Sequence, residues 1–385
     1  EPIPASSAWT PGDHPGDRRF VDIGWLPLEA DPRGGLEVTL AYETWGELNA
    51  ARDNAVYVAH AFTGDSHVVG EAGPGHLTGG WWGALVGPGR AIDTDRYFVV
   101  SANVVGGCQG TTGPAHPNPA DGHAWGSEFP YVTLHDMVVA EARLADHLGI
   151  DAWALVIGPS MGGMRAVEWA ASYPERVRAI GAIGATAATT ADQIAWHAAQ
   201  GAAIRLDPGF RGGDYYDAPD NMGPHVGLGI ARMIAHTTYR SAGELNDRFD
   251  RAYQGESDPL GKGGMFSVQS YLQHHARKLA RRFDANTYLR MLHAMNTHDV
   301  GRGRGGVETA LARYTDPALV IAIDSDRLYP LADSERLAAA LPRSGGVTLL
   351  HSEVGHDGFL VEGSGLDDAV AGVLGRVAAR AGVAG

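Results

Sequence analysis

Residues 156 to 169 read VIGPSMGGMRAVEW, which places a serine between glycines at a sharp bend of the chain. Gly158, Ser160 and Gly162 satisfy the pattern G-x-S-x-G, with a strand-like run before it and a helix-like run after it. A strand that turns at once into a helix strains the backbone of the turning residue, and flanking glycines remove Cβ clashes there. The hydroxyl then projects from a helix N-terminus, where unpaired N–H groups favour the negative charge of acyl transfer. We predict that Ser160 is a nucleophile; the alternative is a serine that only caps the helix.

A serine nucleophile needs a base and an acid that orients the base, and the last third of the chain supplies both. Asp326 follows a strand-like run in LVIAIDSDRLYP, and His356 lies beyond the last such run in SEVGHDGFLVE. Ser160, Asp326 and His356 keep the chain order of hydrolase triads, and each falls at the carboxyl end of a predicted strand. Taken singly, the aspartate could be a turn residue and the histidine a solvent-facing loop residue. Asp324 is the reserve acid.

Two backbone N–H groups are predicted to bind the oxyanion. In the strand–serine–helix arrangement, one donor is the residue after the nucleophile and the other lies in an early strand-to-helix loop. These positions are Met161 and, in AHAFTGDSH, Phe62. Because the donors belong to the main chain, the side chains carry little information about this assignment.

Six runs rich in Val, Ile, Leu and Ala must supply the sheet that positions these residues. The runs are NAVYVAHAF, RYFVVSANVV, AWALVIG, VRAIGAIGA, ALVIAIDS and GVTLLHSE. Nearly continuous apolar runs are typical of strands buried on both faces, and helix-like stretches separate most of them. This alternation predicts an α/β fold with a mostly parallel sheet flanked by helices.

The pattern changes between residues 186 and 299, where we predict a mostly helical insertion. This region opens with a capping-box sequence, Thr190-x-x-Gln193, and continues with the helix-like runs VGLGIARMIAHTTYR and SVQSYLQHHARKLARRF. Residues 1–185 and 300–385 would form the core. A helical insertion that interrupts a sheet is a natural lid, with a cleft between it and the carboxyl edge of the sheet.

Composition limits the classes of partner. The chain has 385 residues with 30 Lys plus Arg against 45 Asp plus Glu, a formal charge of −15. This charge argues against a nucleic-acid or anionic-membrane surface. The chain contains neither an apolar run of about 18 residues nor a secretory-type opening segment. With one cysteine, Cys108, and no Asn-x-Ser/Thr sequence, a cytoplasmic location is expected, and no metal site is predicted. We interpret the Pro-, Gly- and Asp-rich first 20 residues as a poorly ordered arm or a surface strap.

Longer matches extend the interpretation beyond one motif. The chain resembles the homoserine O-acetyltransferases in AYETWGELNAARDNAVYVAHAFTGDSH, GGWWGALVGPGRAIDTDRYFVVSANVVGGCQGTTGP, GPSMGGMRAVEWA, YLQHHARKLARRFDANTYL, HDVGRGRGG, SDRLYP and GHDGFLVE. The resemblance implies an α/β-hydrolase fold with an inserted helical lid, and a homodimer formed through the lid. It also implies acetyl transfer from acetyl-CoA to the γ-hydroxyl of L-homoserine, a step in methionine synthesis. Acetyl-CoA would be a co-substrate, and no permanently bound cofactor is implied.

The same resemblance assigns the acceptor site. It gives the predicted triad its expected roles and places the amino acid between Arg232 on a lid helix and Asp357 beside the catalytic histidine, with Tyr239 in the same lid segment. The chemistry agrees, since a guanidinium fork suits an α-carboxylate and a carboxylate suits an α-ammonium. From the residues alone, Arg232 and Tyr239 could instead lie on an ordinary helix face, and Asp357 could cap a loop.

The resemblance leaves two points open, namely the residue before the nucleophile and the residues that would bind CoA. Pro159 stands where members commonly have glycine before the nucleophile, and its fixed φ and missing N–H bear on the geometry of the turn. A polyanionic CoA also needs a local basic rim on this acidic protein, for which Lys262, Arg302 and Arg304 are the candidates.

Other reactions remain open on the same scaffold. A succinyl donor or a serine acceptor could replace acetyl-CoA or homoserine, and an esterase is the first rival outside the transferases. A catalytically silent ligand receptor belongs to a different class, and the intact triad argues against it.

Overall fold

In a computed structural model, the protein is described over residues 2–255, 258–261, 263–361 and 365–380. Among these residues no helix has the length and apolarity to cross a membrane. The strands are β1 (Arg19–Leu28), β2 (Asp31–Trp45), β3 (Ala55–Val58), β4 (Val86–Gly87), β5 (Ile92–Asp93), β6 (Phe98–Ala102), β7 (Leu155–Pro159), β8 (Ile180–Ile183), β9 (Tyr253–Gln254), β10 (Met265–Phe266), β11 (Ala318–Ile323) and β12 (Val347–Leu350).

Eight of these strands form one sheet in the order β1–β2–β6–β3–β7–β8–β11–β12. The pairs β1–β2 and β2–β6 are antiparallel, and every pair from β6 to β12 is parallel. Each of the six predicted runs contains one of the strands from β3 to β12 in this sheet, so the mostly parallel sheet is confirmed. The antiparallel strands β1 and β2 were not predicted.

Helices cover both faces of the sheet. They are α1 (Leu134–Leu148), α2 (Met161–Ser172), α3 (Ala191–Arg205), α4 (His225–Tyr239), α5 (Ala242–Phe249), α6 (Ser267–Ala280), α7 (Ala285–Asn296), α8 (Val307–Leu311), α9 (Leu331–Ala340) and α10 (Leu366–Arg380). Alternate residues of β3 enter different apolar clusters: Tyr57 joins one and Val56 and Val58 the other. A strand buried on both faces needs this apolar sequence, which explains why the central strands were recognisable.

Helices α3 to α7 lie between β8 and β11, which are neighbours in the sheet. The chain therefore leaves the sheet after one strand, builds the helical segment and returns to the next position. Helix α3 begins with the expected capping box, in which the Thr190 and Gln193 side chains accept each other's backbone N–H. We retain residues 186–299 as the proposed lid.

The N-terminal segment is a surface strap rather than a loose arm. The Ser6 hydroxyl donates to Asp284 at 2.8 Å, and the Trp9 N–H donates to the Cys108 carbonyl at 2.9 Å. Further along, the Arg18 guanidinium donates to the Gly75 carbonyl at 2.7 Å. These bonds fasten the segment to the proposed lid, to the loop that follows β6 and to the loop between β3 and β4.

Candidate active site

Ser160 occupies the turn between β7 and α2 in a strained backbone conformation. Its φ is 55° and its ψ is −124°, a region that residues with a Cβ rarely adopt. A Cβ on Gly158 would lie 2.3 Å from the Ala59 carbonyl oxygen, and one on Gly162 would lie 2.0 Å from the same oxygen. Both glycines of the motif are therefore required for the nucleophile turn to pack against the end of β3.

Pro159 does not prevent this turn. It ends β7 and pairs with Ile183 of β8, and the next residue, Ser160, donates its N–H to the Ile183 carbonyl at 2.8 Å. The fixed φ of proline is compatible with the extended backbone of a strand end. The departure from the common glycine therefore falls on the strand side of the turn.

Asp326 and His356 meet at the carboxyl edge of the sheet. The Nδ1 atom of His356 lies 2.6 Å from Oδ2 of Asp326, and both side chains are almost fully buried. The other carboxylate oxygen, Oδ1, accepts the N–H groups of Leu328 and Tyr329 at 2.8 and 2.9 Å. Three partners thus fix the carboxylate, and it in turn fixes the tautomer and direction of the imidazole.

The reserve acid Asp324 has a different partner. Its Oδ2 lies 2.9 Å from Nδ1 of His351, and its Oδ1 accepts the Ser352 N–H at 3.0 Å. The side chains of Asp324 and His351 are 37% and 81% exposed, so this pair lies at the surface. The structure brings Asp326 and not Asp324 to His356.

The other ring nitrogen of His356, Nε2, is not held by the described part of the protein. Nε2 of His356 is buried and has no hydrogen-bond partner among the described residues. Ser160 and His356 line the same cavity, and the Tyr329 ring stacks on the imidazole with centroids 5.2 Å apart. Nε2 is therefore the ring nitrogen available to exchange a proton with a group in the cavity.

Of the two predicted oxyanion donors, Phe62 lines the same cavity and Met161 directly follows Ser160. Met161 is the first residue of α2, so its N–H has no partner within the helix. Phe62 lines the cavity with its neighbours Ala61 and Thr63, and its ring packs on Tyr288 with centroids 4.5 Å apart. The assignment of these two N–H groups as oxyanion donors stays a prediction.

A buried ion pair joins α2 to α1, and its arginine also bonds to the loop that carries Phe62. Arg165 of α2 donates to the His60 carbonyl at 2.7 Å and pairs with Glu141 of α1. Burial and the nearby Arg165 charge lower the pKa of His60 to about 3, so its imidazole is neutral. Glu141 also accepts the Trp169 indole N–H at 2.7 Å. These contacts hold the loop that carries Phe62 against α2.

The residues expected to bind an amino acid surround the cavity. Arg232, Tyr239 and Asp357 all line it together with Ser160 and His356. The Arg232 guanidinium lies 5.3 Å from the centre of the Tyr239 ring and 3.4 Å from the Thr63 hydroxyl. Among the described residues, Arg232 has no carboxylate within ion-pair distance. The guanidinium of Arg232 and the carboxylate of Asp357, which pairs with Arg240 at 3.6 Å, thus both lie beside the serine.

Burial changes the pKa values of Tyr239 and Asp357, which line the cavity. It raises the pKa of Tyr239 to about 12, so the phenol is neutral and can donate a hydrogen bond. Burial also raises the pKa of Asp357, although His356, Arg232 and Arg240 oppose the change. A bound ammonium group would further favour the ionised form of this carboxylate.

Comparison with known proteins identifies the family. The family model described as the alpha/beta hydrolase fold matches residues 54–362. A homoserine O-acetyltransferase of Thermobifida fusca is 57% identical over 362 residues, which span 94% of each chain. The chain belongs to the homoserine O-acetyltransferase family. The predicted α/β-hydrolase fold and the resemblance are confirmed, and the chain is a member of a family of acyltransferases.

Solved structures place this acetyltransferase family beside esterases. A homoserine O-acetyltransferase from Bacillus anthracis is 27% identical with a TM-score of 0.84, covering 93% of this chain and 97% of its own. Esterase E22 is also 27% identical, with a TM-score of 0.83 and coverage of 93% and 99%. Because both neighbours are equally similar, the fold alone does not distinguish an acetyltransferase from an esterase. That distinction depends on the residues around the cavity.

Sequence reasoning missed two glycines that shape the site in this homoserine O-acetyltransferase family member. Gly184 follows β8 with φ +52°, and a Cβ there would lie 3.2 Å from the His356 ring and 3.3 Å from Asp326 Oδ2. Gly355 lets the histidine loop touch the end of α4, since its Cβ would lie 2.6 Å from the Ser241 N atom. The position of Gly184 directly after a strand, at the edge that carries Ser160, was the available signal.

The candidates for the basic rim were wrong where the structure describes them. Arg302 pairs with Glu29 at 3.0 Å, and Arg304 pairs with Glu168 at 2.7 Å. Both arginines are therefore already paired with carboxylates, and neither lines the cavity. Lys262 lies outside the described residues. Arg282, which was not singled out, lines the cavity and donates to the Thr63 carbonyl at 2.8 Å.

One cluster has the composition of a metal site. Potential ligand atoms of Asp17, Glu43, His67 and His76 all lie within 4.8 Å of one another. However, the two imidazoles stack with centroids 3.8 Å apart and an interplanar angle of 13°. Their lone pairs lie in nearly parallel planes and do not converge on one ion. Glu43 is bonded to His67 at 2.9 Å and to Ser66 at 2.7 Å, so the cluster is a buried hydrogen-bond network.

Proposed function

We propose that this protein transfers an acetyl group from acetyl-CoA to the γ-hydroxyl of L-homoserine, through an acetyl ester on Ser160. The observation that carries the proposal is the joint lining of one cavity by Ser160, His356, Arg232 and Asp357. An esterase needs the first two of these groups, whereas an amino-acid acceptor also needs the last two. The identity to curated homoserine O-acetyltransferases supports the same reaction. The product would be an intermediate of methionine synthesis.

The first half-reaction loads the serine. His356 Nε2 takes the Ser160 hydroxyl proton while the oxygen attacks the thioester carbonyl carbon. The negative oxygen of the tetrahedral intermediate binds the N–H groups of Phe62 and Met161. The C–S bond then breaks, the histidine returns its proton to the CoA sulfur, and an acetyl-serine ester remains. Asp326 stabilises the imidazolium at each stage through its 2.6 Å bond to Nδ1.

The second half-reaction delivers the acetyl group. The α-carboxylate of homoserine binds Arg232, its ammonium binds Asp357, and its γ-hydroxyl then lies near the ester. His356 takes the hydroxyl proton, the new C–O bond forms, and the bond to Ser160 breaks as the proton returns to the serine. Transfer exceeds hydrolysis because the acceptor is held in place while the lid limits access of water.

Mass spectrometry of the intact protein tests this proposal. The protein is mixed with acetyl-CoA or succinyl-CoA alone, and the added mass and its lifetime are followed. We expect an acetyl adduct on Ser160 that persists in water and disappears rapidly when homoserine is added. An adduct that decays equally fast without homoserine would indicate an esterase, and no adduct from any acyl-CoA would indicate a receptor. A preference for the succinyl adduct, or discharge by serine alone, would identify the other open alternatives.

The pH dependence of activity should follow the protonation of the His356 imidazole. Burial alone would lower the pKa of His356, but the charge and hydrogen bond of Asp326 outweigh it and raise the pKa above the ordinary 6.5. The imidazole must be neutral to accept the serine proton, so activity is lost as the pH falls through this raised pKa. We expect the acidic limb of kcat/KM for acetyl-CoA to have its midpoint above 6.5. A midpoint at or below that value would contradict the role of the Asp326 charge.

Replacing Arg232 should separate the two half-reactions. Arg232→Ala removes the partner of the acceptor carboxylate but leaves the nucleophile, base and oxyanion site unchanged. We expect acetyl-Ser160 to form at a near-normal rate, while its discharge by homoserine slows about 100-fold, as for loss of a charge-assisted bidentate contact. Arg205→Ala on α3 is the matched control, because Arg205 is exposed and does not line the cavity. Equal slowing of loading and discharge would contradict the assignment.

The assembly and location are also part of the proposal. Val226 and Ile230 lie one turn apart on α4 and are 70% and 44% exposed, which supports a homodimer that packs through the lid. Sedimentation equilibrium of the protein tests this, and a monomer at micromolar concentration would contradict it. We also propose a cytoplasmic location, where both substrates would be supplied; cell fractionation tests it.

A further inference from the structure

A second cavity, here named the outer basin, adjoins the catalytic cavity and is about twice its size. Its volume is about 330 Å³, against about 160 Å³ for the catalytic cavity. The two share a wall that includes Thr63, Arg232 and Arg282, and the outer basin extends from there toward α6. A long substrate could therefore place one end beside Ser160 and the other in the outer basin.

The outer basin is basic, although the whole chain carries a formal charge of −15. Its Arg and Lys residues are Arg232, Arg240, Lys278 and Arg282, against the acidic residues Asp65 and Asp357. The cations come from α4, α6 and the residues that directly follow these helices. Folding has thus gathered positive charge at one place on an acidic protein.

The positive charge is only partly neutralised. The ion pairs of Arg240 with Glu244 and Asp357 are both 3.6 Å long, and its Nε atom has no hydrogen-bond partner among the described residues. Arg282 donates to a carbonyl rather than to a carboxylate. Within the described ranges, neither Arg282 nor Lys278 has a carboxylate oxygen within 4.0 Å. These groups have capacity for an anionic ligand.

Two histidines in the wall respond to this charge. His236 and His275 stack with centroids 4.0 Å apart and both line the outer basin. Burial lowers the pKa of His236 to about 2, with further lowering by Arg232, His275, Arg240 and Arg248. Burial also lowers the pKa of His275 to about 4, and the positive charges of Arg232, His274, Arg240 and Lys278 lower it further. The surrounding cations, and not carboxylates, dominate the potential that these rings experience.

We propose that the outer basin binds the phosphate groups of CoA, with Lys278 and Arg240 as their principal cationic contacts. This inference rests on the proposed function, because it assumes an acyl-CoA donor. Arginine and lysine are the side chains that bind phosphate oxygens, by fork-like hydrogen bonds and as a point charge respectively. The shared wall then lets the thioester end reach Ser160 while the polyanion stays outside the catalytic cavity.

Charge reversal at Lys278 tests the site with a built-in control. Arg277 precedes Lys278 on α6, is also exposed and does not line the outer basin. Lys278→Glu and Arg277→Glu therefore change the net charge equally, but only the first changes the proposed site. We expect Lys278→Glu to raise KM for acetyl-CoA about tenfold or more, with KM for homoserine unchanged, and Arg277→Glu to raise it less than about twofold.

Two further compounds test whether the effect of Lys278→Glu depends on the phosphate groups. One is an acetyl donor without phosphates, and the other is the phosphate-bearing fragment of CoA without the thioester. For Lys278→Glu, the ratio of kcat/KM for acetyl-CoA to that for the phosphate-free thioester S-acetyl-N-acetylcysteamine should fall about tenfold. Adenosine 3′,5′-bisphosphate should bind the wild-type protein in calorimetry and bind Lys278→Glu about tenfold more weakly. Equal effects of the two charge reversals, an unchanged donor ratio, or undiminished bisphosphate binding would each overturn the proposal.

Phosphate binding in the outer basin and acetyl transfer through Ser160 can fail independently of each other. If acetyl-Ser160 forms and discharges to homoserine but the Lys278 and Arg277 variants behave alike, the reaction stands and the outer basin does not bind the phosphates. If bisphosphate binding depends on Lys278 but neither acetyl donor loads the serine, the anion site stands and the proposed acetyl transfer fails.

Discussion

Ser160→Ala is expected to abolish acetyl transfer to homoserine, lowering kcat by about 10⁴-fold or more. The alanine lacks the only hydroxyl at the strained turn, so no acetyl ester can form and the two half-reactions lose their common intermediate. The residual activity expected of this variant is a slow, direct reaction between acetyl-CoA and homoserine bound side by side in the cavity. The measurement is the release of CoA thiol from acetyl-CoA with and without homoserine, combined with the intact protein mass.

The fold of this variant should survive. Alanine adopts the Ser160 backbone at a cost similar to that of serine, and thermal unfolding by circular dichroism checks that the protein stays folded. Ser172→Ala is the matched control, because this hydroxyl lies at the other end of α2, bonds to Glu168 at 2.6 Å and does not line the cavity. Undiminished turnover by folded Ser160→Ala would reject the serine as nucleophile.

The sequence was informative where one local pattern decides the structure. The strands from β3 to β12 were visible because burial on both faces demands continuous apolar runs. Ser160 was visible because G-x-S-x-G, a preceding strand and a following helix are all local. By contrast, β1 and β2 were missed, since an antiparallel edge with one exposed face has weaker patterning and its register depends on distant partners.

Contacts between distant segments set the remaining features of the site. The sequence favoured Asp326 but left Asp324 in reserve, because the choice depends on where β11 ends and on which backbone N–H groups turn toward each carboxylate. Arg302 and Arg304 looked available until the structure showed their partners Glu29 and Glu168. Basic residues are abundant on surfaces, so only the packing of α4 against α6 shows which of them line the outer basin.

Asp326→Asn should lower kcat by about 10⁴-fold, although it replaces only one oxygen. Oδ1 of Asp326 accepts two backbone N–H groups, from Leu328 and Tyr329. The asparagine must therefore keep its carbonyl oxygen there and point its NH₂ group at His356 Nδ1. An imidazole that accepts at Nδ1 carries its proton on Nε2, so it cannot take the proton of Ser160. Steady-state kinetics, with thermal unfolding to confirm folding, measures the loss.

The neighbouring aspartate provides the control for this substitution. Asp324→Asn makes the same chemical change two residues away, in a surface pair with His351, and should retain activity within about twofold. Because each asparagine removes one negative charge, a general charge effect would act on both variants. A large loss in Asp324→Asn with little loss in Asp326→Asn would instead make Asp324 the orienting acid, which would require the loop after β11 to rearrange during catalysis.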